Sequence, residues 1–210
     1  MTRSPRTRQL AGIALATIAL LPPVAHRLEA RMLGHMLVQI PALWLAGALM
    51  VWPAHSRDHV GDRWNVAGVP GLLAASLVLA FWMMPIALDH AVASVAWDVA
   101  KALSLFLAGA VDVVSWRRAP LVIQAFFVGN VVWMSIAIGL LYQDDGPRLC
   151  NAYLLDDQGN TGLALVLVSL LAAGLWMGRT ALRLQTGSQT GLQTDIPRID
   201  LSPGDAVHET

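Results

Sequence analysis

Six apolar stretches, each about long enough to cross a bilayer, divide this 210-residue chain. A hydrocarbon core about 30 Å thick takes about 20 helical residues at 1.5 Å rise. The stretches lie near Gln9–Val24, Met32–Trp52, Gly68–Leu88, Val95–Trp116, Leu121–Tyr142 and Thr161–Leu182, and the first is the weakest. They predict an all-α fold, a polytopic bundle of about six transmembrane helices occupying residues 1–184. A composition of 56% apolar and 13% charged residues agrees with this, and no loop is long enough for a separate soluble domain. Residues 185–210, rich in Gly, Thr, Gln and Asp and carrying Pro197 and Pro203, have too little apolar surface to bury and are expected to be a disordered cytoplasmic tail.

The positive charges fall into every second gap. With the amino terminus in the cytoplasm, the inner segments hold Arg3, Arg6, Arg8, Arg57, Arg63, Arg117, Arg118, Arg179, Arg183 and Arg198. The outer segments hold Arg27, Arg31 and Arg148, while Lys101 lies inside a span. Ten basic residues against three place both termini in the cytoplasm of a bacterial-type inner (plasma) membrane. A signal peptide competes for residues 1–30, because three arginines precede the apolar run Leu10–Leu21. Its cleavage region fits poorly, since a cut at Ala25 would put Pro23 where a small residue is wanted. The formal net charge of zero gives no basic footprint for nucleic acid, which leaves membrane lipid as the expected surroundings. The single cysteine, Cys150, has no internal disulfide partner.

Function is therefore sought among polar groups at membrane depth, where ionisable side chains are expensive and usually face the bundle interior. The fourth span carries Asp98, Lys101 and Asp112. At 100° per residue, Lys101 and Asp112 differ by only about 20° around the helix and Asp98 lies about 40° from Asp112, so all three share a stripe. Asp98 and Lys101 are close enough to neutralise each other. An ion or proton path along the stripe is the sharper reading, although Ser104 is the only polar side chain of the span between Lys101 and Asp112.

A second constellation appears on the outer side. Met32, His35 and Met36 open the second span, with His26 ahead of them; Met83 and Met84 end the third, followed by Asp89 and His90. Thioether, imidazole and thiol suit Cu(I), so His35, Met36, Met83, His90 and Cys150 form a candidate metal set. Each has a plainer role, methionine as a gap-filler and histidine as a donor to a neighbouring carbonyl. His55 and His59, four residues apart, stand in the polar run HSRDHVGDR and are read as a solvated cytoplasmic loop.

These segments resemble the CtaG-type cytochrome c oxidase assembly factors. The stretch FWMMPIALDHAVASVAWDVAKALSLFLAG is similar to that family's Trp-His-x-Pro and Leu-Ser-Phe-Leu-Leu-Ala-Gly region through Trp82, Pro85, Asp89, Leu103, Ser104, Leu107, Ala108 and Gly109. RMLGHMLV resembles its His-Met-x-x-His signature through Met32 and His35, and LLDDQGNTGLAL its Asp-Gln stretch through Asp157, Gln158 and Gly162. The resemblance covers roughly residues 31–176. It implies a membrane assembly factor for a haem-copper oxidase, partnered by cytochrome c oxidase subunits, with an outward-facing copper site. The departures are Arg31 for the first signature histidine, Met83 at the Trp-His position, and Asp98 and Ala102 where histidines precede the Leu-Ser run.

A small transporter or ion-coupled channel using Asp98, Lys101 and Asp112, and a structural subunit without ligand, are the alternatives. No internal repeat or paired broken helices of the secondary-transporter kind is evident. Nor is there a nucleophile–base pair or phosphate-binding glycine loop, so no enzyme is expected. The charge asymmetry is tested by introducing cysteine at Ser56 in a Cys150→Ala background: the new thiol should stay protected from an impermeant reagent in intact cells. Labelling from outside would reverse the orientation.

Overall fold

The break of two of the expected spans at proline is the main thing the chain adds to a plain bundle. A computed structural model describes residues 5–51, 64–144 and 153–194. The described residues are helical between short connections, in the order α1 (Pro5–Leu20), α2 (Pro22–Glu29), α3 (Met32–Val51), a short turn at Val66–Gly68, α4 (Val69–Trp82), α5 (Pro85–Ala93), α6 (Val95–Arg118), α7 (Leu121–Tyr142) and α8 (Leu155–Thr194).

Among the described residues four helices, α3, α6, α7 and the Asp156–Thr186 part of α8, are each long and apolar enough to cross a membrane. The count reaches six if each of two bent pairs is one span: α1 with α2, bent by 65°, and α4 with α5, bent by 72°. The expectation of unbroken spans at Gly68–Leu88 and Gln9–Val24 is thereby corrected, for a covalent reason. Proline has no N–H and disfavours the helical region for the residue before it. Met84, before Pro85, is extended at φ −74°, ψ 134°, and Leu21, before Pro22, at φ −62°, ψ 124°. Each break redirects a short helix, and α2 carries Glu29 towards the core.

A different device operates within α3. Residues His35–Gln39 form a π turn, with the Ile40 N–H bonded to the His35 carbonyl. Pro41 follows one residue later, and widening the preceding turn is one way to relieve its clash with the helical backbone. The turn leaves both His35 and Gln39 fully buried.

The chain divides into two compact units, Met1–Ala173 and Gly174–Thr210. In the first, α6 is the central helix, packed by α3 on one flank and α4 on another. Glycines set the closest approach: a Cβ on Gly47 would collide with the Phe106 carbonyl, and one on Gly109 with the Trp44 carbonyl, so α3 and α6 cross backbone to backbone. Gly139 and Gly162 do the same reciprocally for α7 and α8. At the chain entry to α4, Gly68 takes φ 73° against the Ser115 carbonyl, a left-handed backbone that favours glycine. Ala19, Ile40, Leu43, Trp82, Ala102 and Leu105 fill the interior. Large apolar side chains such as Val122, Phe126 and Trp133 of α7 stand exposed, as a surface facing lipid requires.

In the second unit the described residues, Gly174 to Thr194, are helical. Residues 185–194, expected in the tail, thus continue the helix. Each residue added to an existing helix gains one hydrogen bond for one residue fixed, and the Thr186 hydroxyl donates back to the Leu182 and Arg183 carbonyls. Residues 195–210 lie outside the described residues.

Candidate functional site: a buried ammonium nest

Lys101 is fully buried, the largest such side chain among the described residues. An ammonium at membrane depth must be matched by acceptors and by opposite charge. Three elements supply them. Glu29 Oε1, from α2, and Gln39 Oε1, from the π turn of α3, each lie 3.1 Å from Lys101 Nζ. His35 Nε2, one helical turn before Gln39, lies at 2.9 Å. Those three contacts take the three protons of the ammonium. Asp98, one turn earlier on α6, brings Oδ1 to 2.8 Å as an ion pair, without the alignment of a hydrogen bond. Its attraction is Coulombic.

The secondary contacts fix this arrangement. Gln39 Nε2 donates to the same Glu29 Oε1 at 2.9 Å, so the amide faces one way only: oxygen to the ammonium, nitrogen to the carboxylate. An ammonium has no lone pair, so His35 Nε2 must be the acceptor in its bond to Lys101. The ring proton then sits on Nδ1, which lies 2.8 Å from the Tyr153 hydroxyl and donates to it. The network thus assigns His35 as the neutral Nδ1–H tautomer. The backbone of Lys101 is tied too: its carbonyl accepts from Ser104 Oγ at 3.1 Å, and that oxygen accepts from Trp82 Nε1 at 2.8 Å.

The start of α8 closes the same region. Asp157 Oδ2 accepts from the Met32 N–H at 2.6 Å, supplying from another helix the cap that the first turn of α3 lacks from its own residues. Gln158 Nε2 donates to the Tyr153 carbonyl at 3.3 Å, and the Thr161 hydroxyl to the Asp157 carbonyl at 2.7 Å. Beneath these polar groups lie Met32, Met36, Leu88, Tyr142, Tyr153 and Leu165, with Met83 packed on their edge.

The residues singled out in the sequence therefore part company. Asp98 and Lys101 pair as expected. Asp112 takes no part in the nest, being 11 residues and about 16 Å further along α6. His35 is central, and Met36 and Met83 share one packed cluster. His90 is elsewhere: its exposed ring stacks on Trp97 at 5.2 Å and 21°. Cys150, His55 and His59 lie outside the described residues.

This donor set does not fit a copper site centred on His35. A metal needs an open imidazole lone pair, and that of His35 is already given to Lys101 while the other nitrogen carries the proton donated to Tyr153. Among the described residues no three His, Cys, Asp or Glu side chains stand so that they could hold a metal ion.

Glu29, Gln39, Tyr153 and the capping role of Asp157 are not among the residues the sequence pattern singles out. One signal was available for Glu29, the first acidic residue of the chain. It stands just ahead of the second span, at the depth expected for Asp98 and Lys101. The hydrogen-bond reach of Tyr153 had no local pattern to reveal it. No protein-family model matches the chain, and no curated protein or solved structure matches it.

The nest makes a graded prediction. Lys101→Met leaves Glu29 and Asp98 without a counter-charge, and breaking a buried ion pair from one side destabilises on the order of 3–5 kcal/mol. The triple Glu29→Gln, Asp98→Asn, Lys101→Met removes the charges together and should retain more folded protein in membranes than the single change. Equal or greater loss in the triple would show that charge matching is not what holds the nest.

Proposed function

We propose that this protein is a membrane-embedded assembly factor for a haem-copper oxidase, of the CtaG kind, acting without catalysis through contacts with oxidase subunits. One observation carries the reading. The segments on which the resemblance rests are far apart in the chain, yet they meet: Met32 with Asp157, His35 with Lys101, Trp82 with Ser104, and Gln158 with the tyrosine that holds His35. That meeting is what supports the reading.

In this reading the nest faces the outer side of a bacterial-type inner membrane and both termini are cytoplasmic, following the arginine distribution. Copper belongs to the oxidase being assembled; any direct contact with it would fall to the thioethers of Met36 and Met83, since His35 is occupied. The two broken helix pairs remove one ground against a transporter, but Asp112 is separate from the nest and the Lys101 ammonium already has its protons placed.

The test is deletion in the native host. Loss of the protein should deplete the assembled haem-copper oxidase, read from its haem absorbance in membranes, while other cytochromes persist. Wild type should restore it, and Asp157→Asn should restore less. Unchanged oxidase in the deletion strain would refute the assembly role.

A further inference from the structure

Four acceptors from three helical elements converge on one nitrogen at 2.8–3.1 Å: a carboxylate of α2, an imidazole and an amide oxygen of the π turn in α3, and a carboxylate of α6. Such convergence makes a cation site, built of hard and borderline donors. The cation in it is covalently part of the chain.

We propose that Glu29, His35, Gln39 and Asp98 form a cation-binding site specific for a primary ammonium group, filled in the native protein by the Lys101 side chain. The acceptor distances suit an ammonium and are longer than the about 2.3–2.6 Å of calcium or 2.0–2.1 Å of magnesium. Three of the contacts are directed hydrogen bonds, which an N–H group makes and a bare metal ion does not. The fourth, to Asp98, is undirected charge.

The choice of a tethered cation has a chemical consequence. Glu29 and Asp98 together carry one negative charge more than Lys101 neutralises, so the pocket attracts positive charge, and an unoccupied version would draw in a cation from solution. A tether supplies that charge at all times and at fixed stoichiometry. The region where α2, α3, α6 and the start of α8 meet is then held by a charge the chain itself carries. Lys101 acts on His35 as a positioning residue, by directing the Nδ1 proton to Tyr153.

The experiment vacates the site and refills it. Lys101→Ala keeps Cβ and removes three carbons and the nitrogen, the outline of n-propylammonium. Purified full-length Lys101→Ala protein in lipid nanodiscs should show a lowered thermal midpoint that rises saturably with n-propylammonium. 1-Propanol, similar in shape but uncharged, and tetramethylammonium, charged but without N–H, should leave it unmoved. The wild type, and the charge-free triple Glu29→Gln, Asp98→Asn, Lys101→Ala, should not respond to the amine, and a copper chelator should not shift the wild type. If Lys101→Ala does not accumulate by itself, the same comparison is read as its accumulation in membranes of cells grown with n-propylammonium or with 1-propanol. Absence of amine rescue in both readouts, or equal rescue by propanol or tetramethylammonium, overturns the proposal. Neither readout measures oxidase, so their failure would leave the assembly reading standing, and loss of that reading would leave the cation site standing.

Discussion

A lysine ammonium with no exposure to solvent sets the terms for everything around it. Away from water the ion loses its hydration, and attraction to nearby charge recovers the loss only if partners are close and their remaining polar groups are also satisfied. The chain meets this with acceptors from α2, α3 and α6, and then satisfies the acceptors themselves: Gln39 donates to Glu29 and His35 donates to Tyr153. Because the partners come from different elements, the geometry of the nest and the packing of the helices are one problem. Moving α2 would withdraw Glu29, and unwinding the π turn would change the register of His35 relative to Gln39.

The backbone irregularities make this possible. Pro22 turns α2 away from α1 so that its last residue reaches the core. Pro41 follows the π turn, where two polar side chains of α3 reach the same ammonium. Pro85 ends α4 at Trp82 and Met83, leaving the Trp82 indole to tie the Lys101 backbone through Ser104. Glycine at 47 and 109 brings α3 and α6 near enough for His35, Gln39 and Lys101 to meet. Backbone irregularity, close packing and charge matching thus agree, which is what distinguishes a specified structure from a loose bundle of apolar helices.

How far the sequence could be read follows from the range of each interaction. Helix content and most boundaries rest on local hydrophobic runs, so Leu121–Tyr142 is seen as expected and Val95 begins its helix as expected. The Asp98–Lys101 pair was legible because it lies three residues apart on one helix. The breaks at Pro22 and Pro85 were marked by residue type but hidden inside continuous hydropathy. Gln39 and Tyr153 were not legible, because their partners lie 62 and 118 residues away, and Glu29, 72 residues from Lys101, was marked only as an acidic residue ahead of a span. For His35, residue type alone does not separate a metal ligand from the hydrogen-bond relay that its ring forms between lysine and tyrosine.

The central claim is that the Lys101 ammonium orders its surroundings by donating to His35, and the protonation of that ring reports it directly. Protein labelled with nitrogen-15 histidine in nanodiscs, with His35→Gln as the difference control, gives separate resonances for the two ring nitrogens. The account predicts a neutral ring protonated at Nδ1 with Nε2 as an acceptor, and loss of that preference in Lys101→Met. A ring protonated at Nε2 in the wild type, or one unaffected by Lys101→Met, would contradict it.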